Sequence, residues 1–100
     1  MENLNNEKVA KALYEYFMEN WDKYRANIHN PNVIKITSTN IRKVFYEKFP
    51  AEASLRERKT NSVIYPWLME ILKREFEKRN FRVKKDVKAG RYIVLYVYRQ

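Results

Sequence analysis

The sequence predicts an α+β fold of three main helices, a short strand and a C-terminal β-hairpin. Three observations lead there. Apolar residues recur at three- and four-residue spacing in three separate stretches, as in helices that bury one face. From Phe81 the period shortens to two, as in a strand that buries alternate side chains. The single glycine, Gly90, falls between two such alternating runs, where a tight hairpin needs a residue that tolerates positive φ.

The first helix is expected from Asn6 to about Asn27, with Val9, Leu13, Tyr16, Phe17, Trp21 and Tyr24 on its apolar side. Its rings Tyr14, Tyr16, Phe17, Trp21 and Tyr24 cover more of the circumference than one core-facing stripe needs. At least two of them are therefore expected outside a monomeric core, with Tyr14, Phe17, Trp21 and Tyr24 forming a homodimer surface. The alternative is that Val33 to Thr37 and the last strand cover these rings within one chain. His29-Asn30-Pro31-Asn32 stops the helix, since the residue before a proline is pushed out of the helical region.

Val33 to Thr37 reads as a short strand, and Ser38-Thr39-Asn40 offers N-caps for a second helix from about residue 39 to Phe49, closed by Pro50. Residues 51–61 hold one apolar anchor, Leu55, beside Arg56, Arg58 and Lys59, and form either a short helix or an ordered basic loop. Asn61 or Ser62 caps a third helix whose Ile64, Trp67, Leu68, Ile71, Leu72 and Phe76 share a face, with Glu70-Arg74 and Glu75-Arg79 pairs along it. Pro66, near the free first-turn amides, either kinks this helix or delays its start, and the helix ends near Asn80. In the hairpin Phe81, Val83 and Val87 lie on one side of the first strand and Arg82, Lys84 and Lys88 on the other; Lys88 to Arg91 turns, and Tyr92 to Tyr98 returns.

A chain of 100 residues, 45% hydrophobic and 15% aromatic, is expected to form a single domain over 1–100 with a true core. Having no cysteine, it has no disulfide framework, Cys-based zinc site, iron–sulfur cluster or thiol nucleophile. No apolar run approaches a membrane span, and MENLNNEKVAK lacks the basic-then-apolar order of a signal peptide, so a cytoplasmic protein is expected, in the host cytoplasm if the chain is viral. Few glycines and abundant Lys, Glu, Ile and Tyr match a thermophile's composition. The net charge of +9 is uneven: residues 1–50 carry +2 and residues 51–100 carry +7, so a polyanion would meet the second half.

Enzyme chemistry has little to stand on. One histidine, His29, sits in the helix-ending turn, no serine lies in a strand-to-helix elbow, and one glycine excludes a glycine-rich phosphate loop. Glu57-Arg58-Lys59 has the acid-x-Lys spacing of metal-dependent nucleases but lacks a strand and a second carboxylate beside it. No catalytic residue, metal, cofactor or small-molecule substrate is expected.

The order of helix, short strand, helix, basic connection, helix and hairpin, with the stretch NSVIYPWLMEILKREFEKRNFRVKKD, resembles the winged helix-turn-helix family over about residues 8–98, in particular small archaeal and archaeal-virus transcriptional regulators. The resemblance implies a third helix in the DNA major groove and a hairpin wing on the backbone or minor groove. It implies Lys59, Thr60, Asn61, Ser62 and Tyr65, with Met69 and Lys73, at the groove, and Lys88 and Arg91 at the wing tip. The connection between second and third helices, about eleven residues, is longer than the family's usual tight turn.

The residues themselves point the same way. Arg56, Arg58, Lys59 and the group Lys84, Lys85, Lys88 and Arg91 supply phosphate-neutralising cations on two neighbouring projections. Thr60, Asn61 and Ser62 are short polar groups suited to base edges, although Asn61 and Ser62 serve equally as helix caps. The expected function is sequence-specific double-stranded DNA binding by a transcriptional regulator, acting as a homodimer through its first helix or its last strand. The alternatives are a winged-helix module that holds a protein partner and a replication-associated single-strand binder. Base-stacking platforms use residues such as Tyr92, Tyr96 and Tyr98, but a strand covered on one face by helices and on the other by a partner carries the same pattern, and core or interface is the expectation for most of them.

Overall fold

The structure, a computed structural model, describes residues 6–54, 64–88 and 92–99. Its elements in chain order are α1 (Asn6–Glu19), a 3-10 helix (Trp21–Tyr24), β1 (Arg25–Asn27), β2 (Asn30–Thr37), α2 (Ser38–Lys48), α3 (Ile64–Lys78), β3 (Arg82–Val87) and β4 (Ile93–Tyr98). Residues 50–54 add a short helical stretch after α2. The strands form an antiparallel sheet in the order β1-β2-β4-β3. The fold is α+β.

Helix α1 buries Val9, Ala10, Leu13 and Phe17, the positions its spacing selects, but it stops at Glu19 rather than near Asn27. Asn20 ends it, because its backbone N–H and its side-chain amide both donate to the Tyr16 carbonyl, at 3.0 and 2.8 Å. Such local side-chain bonds compete with helix continuation. The 3-10 helix then carries Trp21 inward, and the indole N–H donates to the Pro31 carbonyl at 2.7 Å. Residues expected to continue the helix form β1 instead, in a hairpin with β2. His29 therefore lies at the tip of a β-hairpin, its backbone N–H donating to Asn27 Oδ1 at 2.7 Å, and not in a helix-ending turn. Pro31 has no N–H to donate; it sits where the β1–β2 register shifts and before β4 begins to pair with β2 at Val33.

Helix α2 is capped one residue earlier than Ser38-Thr39-Asn40 suggests. Thr37 Oγ1 accepts the Asn40 N–H at 3.1 Å while Asn40 Oδ1 accepts the Thr37 N–H at 2.9 Å, a reciprocal capping box. Helix α3 ends as expected near Asn80. With φ at 73°, Asn80 lets Phe81 N–H reach the Phe76 carbonyl and its own N–H reach the Glu77 carbonyl, each at 3.0 Å. This turn also folds the Phe81 ring back onto Phe76, 5.2 Å between centroids.

The core lies between the helices and one face of the sheet, with Leu13, Phe17, Ile34, Ile36, Ile41, Phe45, Leu68, Leu72, Phe76, Leu95 and Val97 at its centre. Phe17 and Trp21 belong to it, which takes these two out of the expected dimer surface, while Tyr14, Tyr16 and Tyr24 are half-buried and pack against it. Phe17 and Trp21 are buried; Tyr14 packs on Phe76 and Phe81 at 5.1 and 6.2 Å, and Tyr24 on Phe17 at 4.9 Å. Tyr16 joins them through a 3.0 Å hydroxyl contact with Tyr24. The break at Asn20 re-aims Trp21 and Tyr24, while the α3 C-terminal turn brings Phe81 over Tyr14, so one chain covers part of the stripe and leaves Tyr14, Tyr16 and Tyr24 half-buried.

Candidate nucleic-acid interface

Helix α3 presents Glu70, Lys73, Arg74 and Glu77 away from the buried Leu68, Met69, Leu72 and Phe76. Met69 is thus a core residue and not a groove contact. Charge on the outer side of α3 is balanced: Lys73 pairs with Glu77 at 3.1 Å and Arg74 with Glu70 at 3.1 Å. Nearer the C-terminus, buried Glu75 takes Arg79 at 2.8 Å and Lys78 at 3.3 Å. Burial works to raise the Glu75 carboxyl, but hydrogen bonds from Arg79 and Lys78 and their charges outweigh it and hold the group below its ordinary value. Tyr24 moves the opposite way, its phenol raised by burial and by the Tyr16 hydroxyl.

Arg56, Arg58, Lys59, Thr60, Asn61, Ser62 and Arg91 lie outside the described residues, as do the expected caps of α3 and the hairpin turn. Tyr65 falls in the first turn of α3, its side chain likewise outside the described set. Lys73 is on α3, half-buried and tied to Glu77. Lys88 sits at the end of β3 with its backbone N–H bonded to the Tyr92 carbonyl at 2.7 Å. The Asp86 carboxylate, 3.1 Å away, raises the Lys88 ammonium above its ordinary value by hydrogen bond and by charge.

The register divides the sheet into two faces. Ile34, Val97 and Val83 form one cross-strand row and Ile36, Leu95 and Lys85 the next, with the β2 and β4 members fully buried under the helices. Lys85 points to that layer, 3.9 Å from Glu70 of α3. The opposite face carries the rows Val33-Tyr98-Arg82, Lys35-Tyr96-Lys84 and Thr37-Val94-Asp86. Val33 and Val94 are buried, Tyr96 and Tyr98 half-buried, and Lys35, Arg82 and Lys84 exposed. The Arg82 guanidinium lies over the Tyr98 ring at 4.3 Å. Lys84, expected with the wing cations, belongs to this outer face with Arg82 and Lys88, on the side the alternation assigns them.

Sequence reasoning missed Lys35 as a member of this group, because nothing local shows that β2 will pair with β4 and set Lys35 beside Tyr96. It also missed α2, where Thr39, Arg42, Lys43, Tyr46 and Glu47 line a groove of about 490 Å³ and the Arg42 guanidinium stacks on Tyr46 at 4.9 Å. Among the described residues no three His, Asp or Glu side chains gather as a metal site, and no helix is long and apolar enough to cross a membrane. No family model matches the chain, and comparison with curated proteins and with solved structures brings no significant match.

Proposed function

We propose that this chain is a double-stranded DNA-binding protein of winged helix-turn-helix architecture, acting in transcription regulation. The observation that carries the reading is the pairing of β2, the strand between α1 and α2, with the returning strand β4 of the C-terminal hairpin. That pairing fixes the hairpin to the same sheet that α3 packs on, so helix and hairpin project from one scaffold, as a recognition helix and its wing must.

The balanced charge along α3 moves the duplex contact toward the start of this helix. Arg56, Arg58 and Lys59 neutralise phosphates, Thr60, Asn61, Ser62 and Tyr65 meet base edges, and Lys88 with Arg91 meets backbone at the wing tip. Lys73 has a lesser part, since leaving Glu77 for a phosphate exchanges one partner for another. A homodimer through α1 is not part of this reading, because the rings that would form it are in or against the core.

Fluorescence anisotropy with a labelled random-sequence duplex tests it. Arg56→Glu with Arg58→Glu and Lys59→Glu is expected to weaken binding at least about tenfold and to flatten its salt dependence by about 0.9 per lost phosphate contact. Lys88→Ala with Arg91→Ala should weaken specific and random duplexes alike. Unchanged duplex affinity in both variants would contradict the reading, and loss of a protein partner with DNA binding intact would reassign the hairpin to protein recognition.

A further inference from the structure

The outer face of the sheet is a second surface, away from the helix layer, of which the duplex reading takes up Lys88 at its hairpin end but neither Tyr96 nor Tyr98. We propose that it binds single-stranded nucleic acid, with bases stacked on Tyr96 and on the Arg82–Tyr98 stack and phosphates held by Lys35 and Lys84.

Both rings stand on β4, which β2 and β3 flank, two residues apart and hence about 7 Å from one another. The neighbouring strands put Lys35 and Lys84 on either side of Tyr96 and Arg82 beside Tyr98, so cations border the aromatic track. None of the ion pairs among the described residues involves Lys35, Lys84 or Arg82. The carboxylate in these rows, Asp86, is 3.1 Å from Lys88.

The charge selects a polyanion, and the rings select which kind. Bases in a duplex are already stacked on each other and offer a flat sheet only their backbone, whereas unstacked bases lie on aromatic rings and on guanidinium planes. The Arg82 guanidinium over Tyr98 extends the stacking track by one layer. A rim of unpaired cations would oppose a second copy of the same face, since like charges would meet across the two-fold axis.

The test uses the full chain with labelled oligothymidylate, oligouridylate and a random duplex. Tyr96→Leu and Tyr98→Leu keep an apolar side chain but remove the π-face; each is expected to weaken single-strand binding about 5- to 150-fold and to leave duplex affinity unchanged. The Phe variants at both positions should bind as the wild type. Which of the two oligonucleotides binds tighter identifies the natural strand as DNA or RNA. Lys35→Glu with Lys84→Glu, at exposed positions, reports the phosphate contacts even if a Leu variant fails to fold, and is expected to lower single-strand affinity at least about tenfold.

Wild-type failure to bind either oligonucleotide would overturn the proposal, as would folded Leu variants or the Glu pair binding like wild type. So would a sedimenting mass that falls on Tyr98→Leu without nucleic acid, which would make the face a contact between copies. Single-strand binding that persists while no form of the protein binds duplex would sustain this proposal and overturn the duplex reading.

Discussion

Thr37 and Asn40 show how one pair of short side chains decides where a strand becomes a helix. Each supplies the acceptor for the other's backbone N–H, so two donors are satisfied where the last residue of β2 passes into α2. Thr37→Ala is expected to cost about 1 kcal/mol of stability, read as a lower urea midpoint, with no change in the denaturant slope. Glu75 makes a second residue-scale prediction. Because its folded pKa is depressed, its contribution is present above the unfolded glutamate value of about 4.3 and is lost as pH falls through the lower folded value. The urea midpoint should therefore drop on acidification below about pH 4, and Glu75→Gln should show a smaller drop over the same window. At this scale the sequence was partly legible. Glu75-Arg79 and Glu70-Arg74 could be read from their spacing and both form, whereas Thr37 was passed over because three equally good caps follow it and only the formed strand end selects among them.

At the scale of elements the rings of α1 connect local structure to packing. Phe76 is fully buried with Tyr14 at 5.1 Å and Phe81 at 5.2 Å, so Phe76→Ala is expected to cost about 3–5 kcal/mol. Tyr14→Ala should cost less, as Tyr14 is only half-buried, and should leave the sedimenting mass of the wild type unchanged. A change of mass on Tyr14→Ala would restore α1 as a contact between copies. The helical spacing correctly located Val9, Leu13 and Phe17, then Ile41, Val44 and Phe45, then Leu68, Leu72 and Phe76 as inward residues. It did not locate the end of α1, because the 3-10 helix keeps Trp21 and Tyr24 turned to the core and so prolongs the apolar rhythm past the break. Nor did it locate β1, whose Arg25-Ala26-Asn27 has no strand-like composition and is extended only because β2 lies beside it. Val87, placed with Val83 by alternation, is 58% exposed on the edge strand β3, while Ile93, opposite it on β4, is buried in the core.

For the whole molecule the governing fact is charge and where it goes. The second half carries +7, yet the part of α3 that the structure describes balances its own cations with Glu70, Glu75 and Glu77, a cancellation that a net count cannot show but i,i+4 spacing can. Lys35, Lys84 and Arg82, which enter no ion pair among the described residues, come together on the outer sheet face, and that juxtaposition depends on a β2–β4 pairing across more than half the chain. Net charge in the sequence thus raised the expectation of a polyanion partner, whereas the gathering of Lys35, Lys84 and Arg82 beside Tyr96 and Tyr98 is visible only in the sheet. The most direct measurement is the affinity of the wild-type chain for a random duplex across a series of salt concentrations. A nucleic-acid-binding protein should lose affinity linearly on logarithmic axes, by about 0.9 per phosphate contact for a duplex. Absence of duplex binding at low salt, or an affinity that stays level from low to moderate salt, would contradict it.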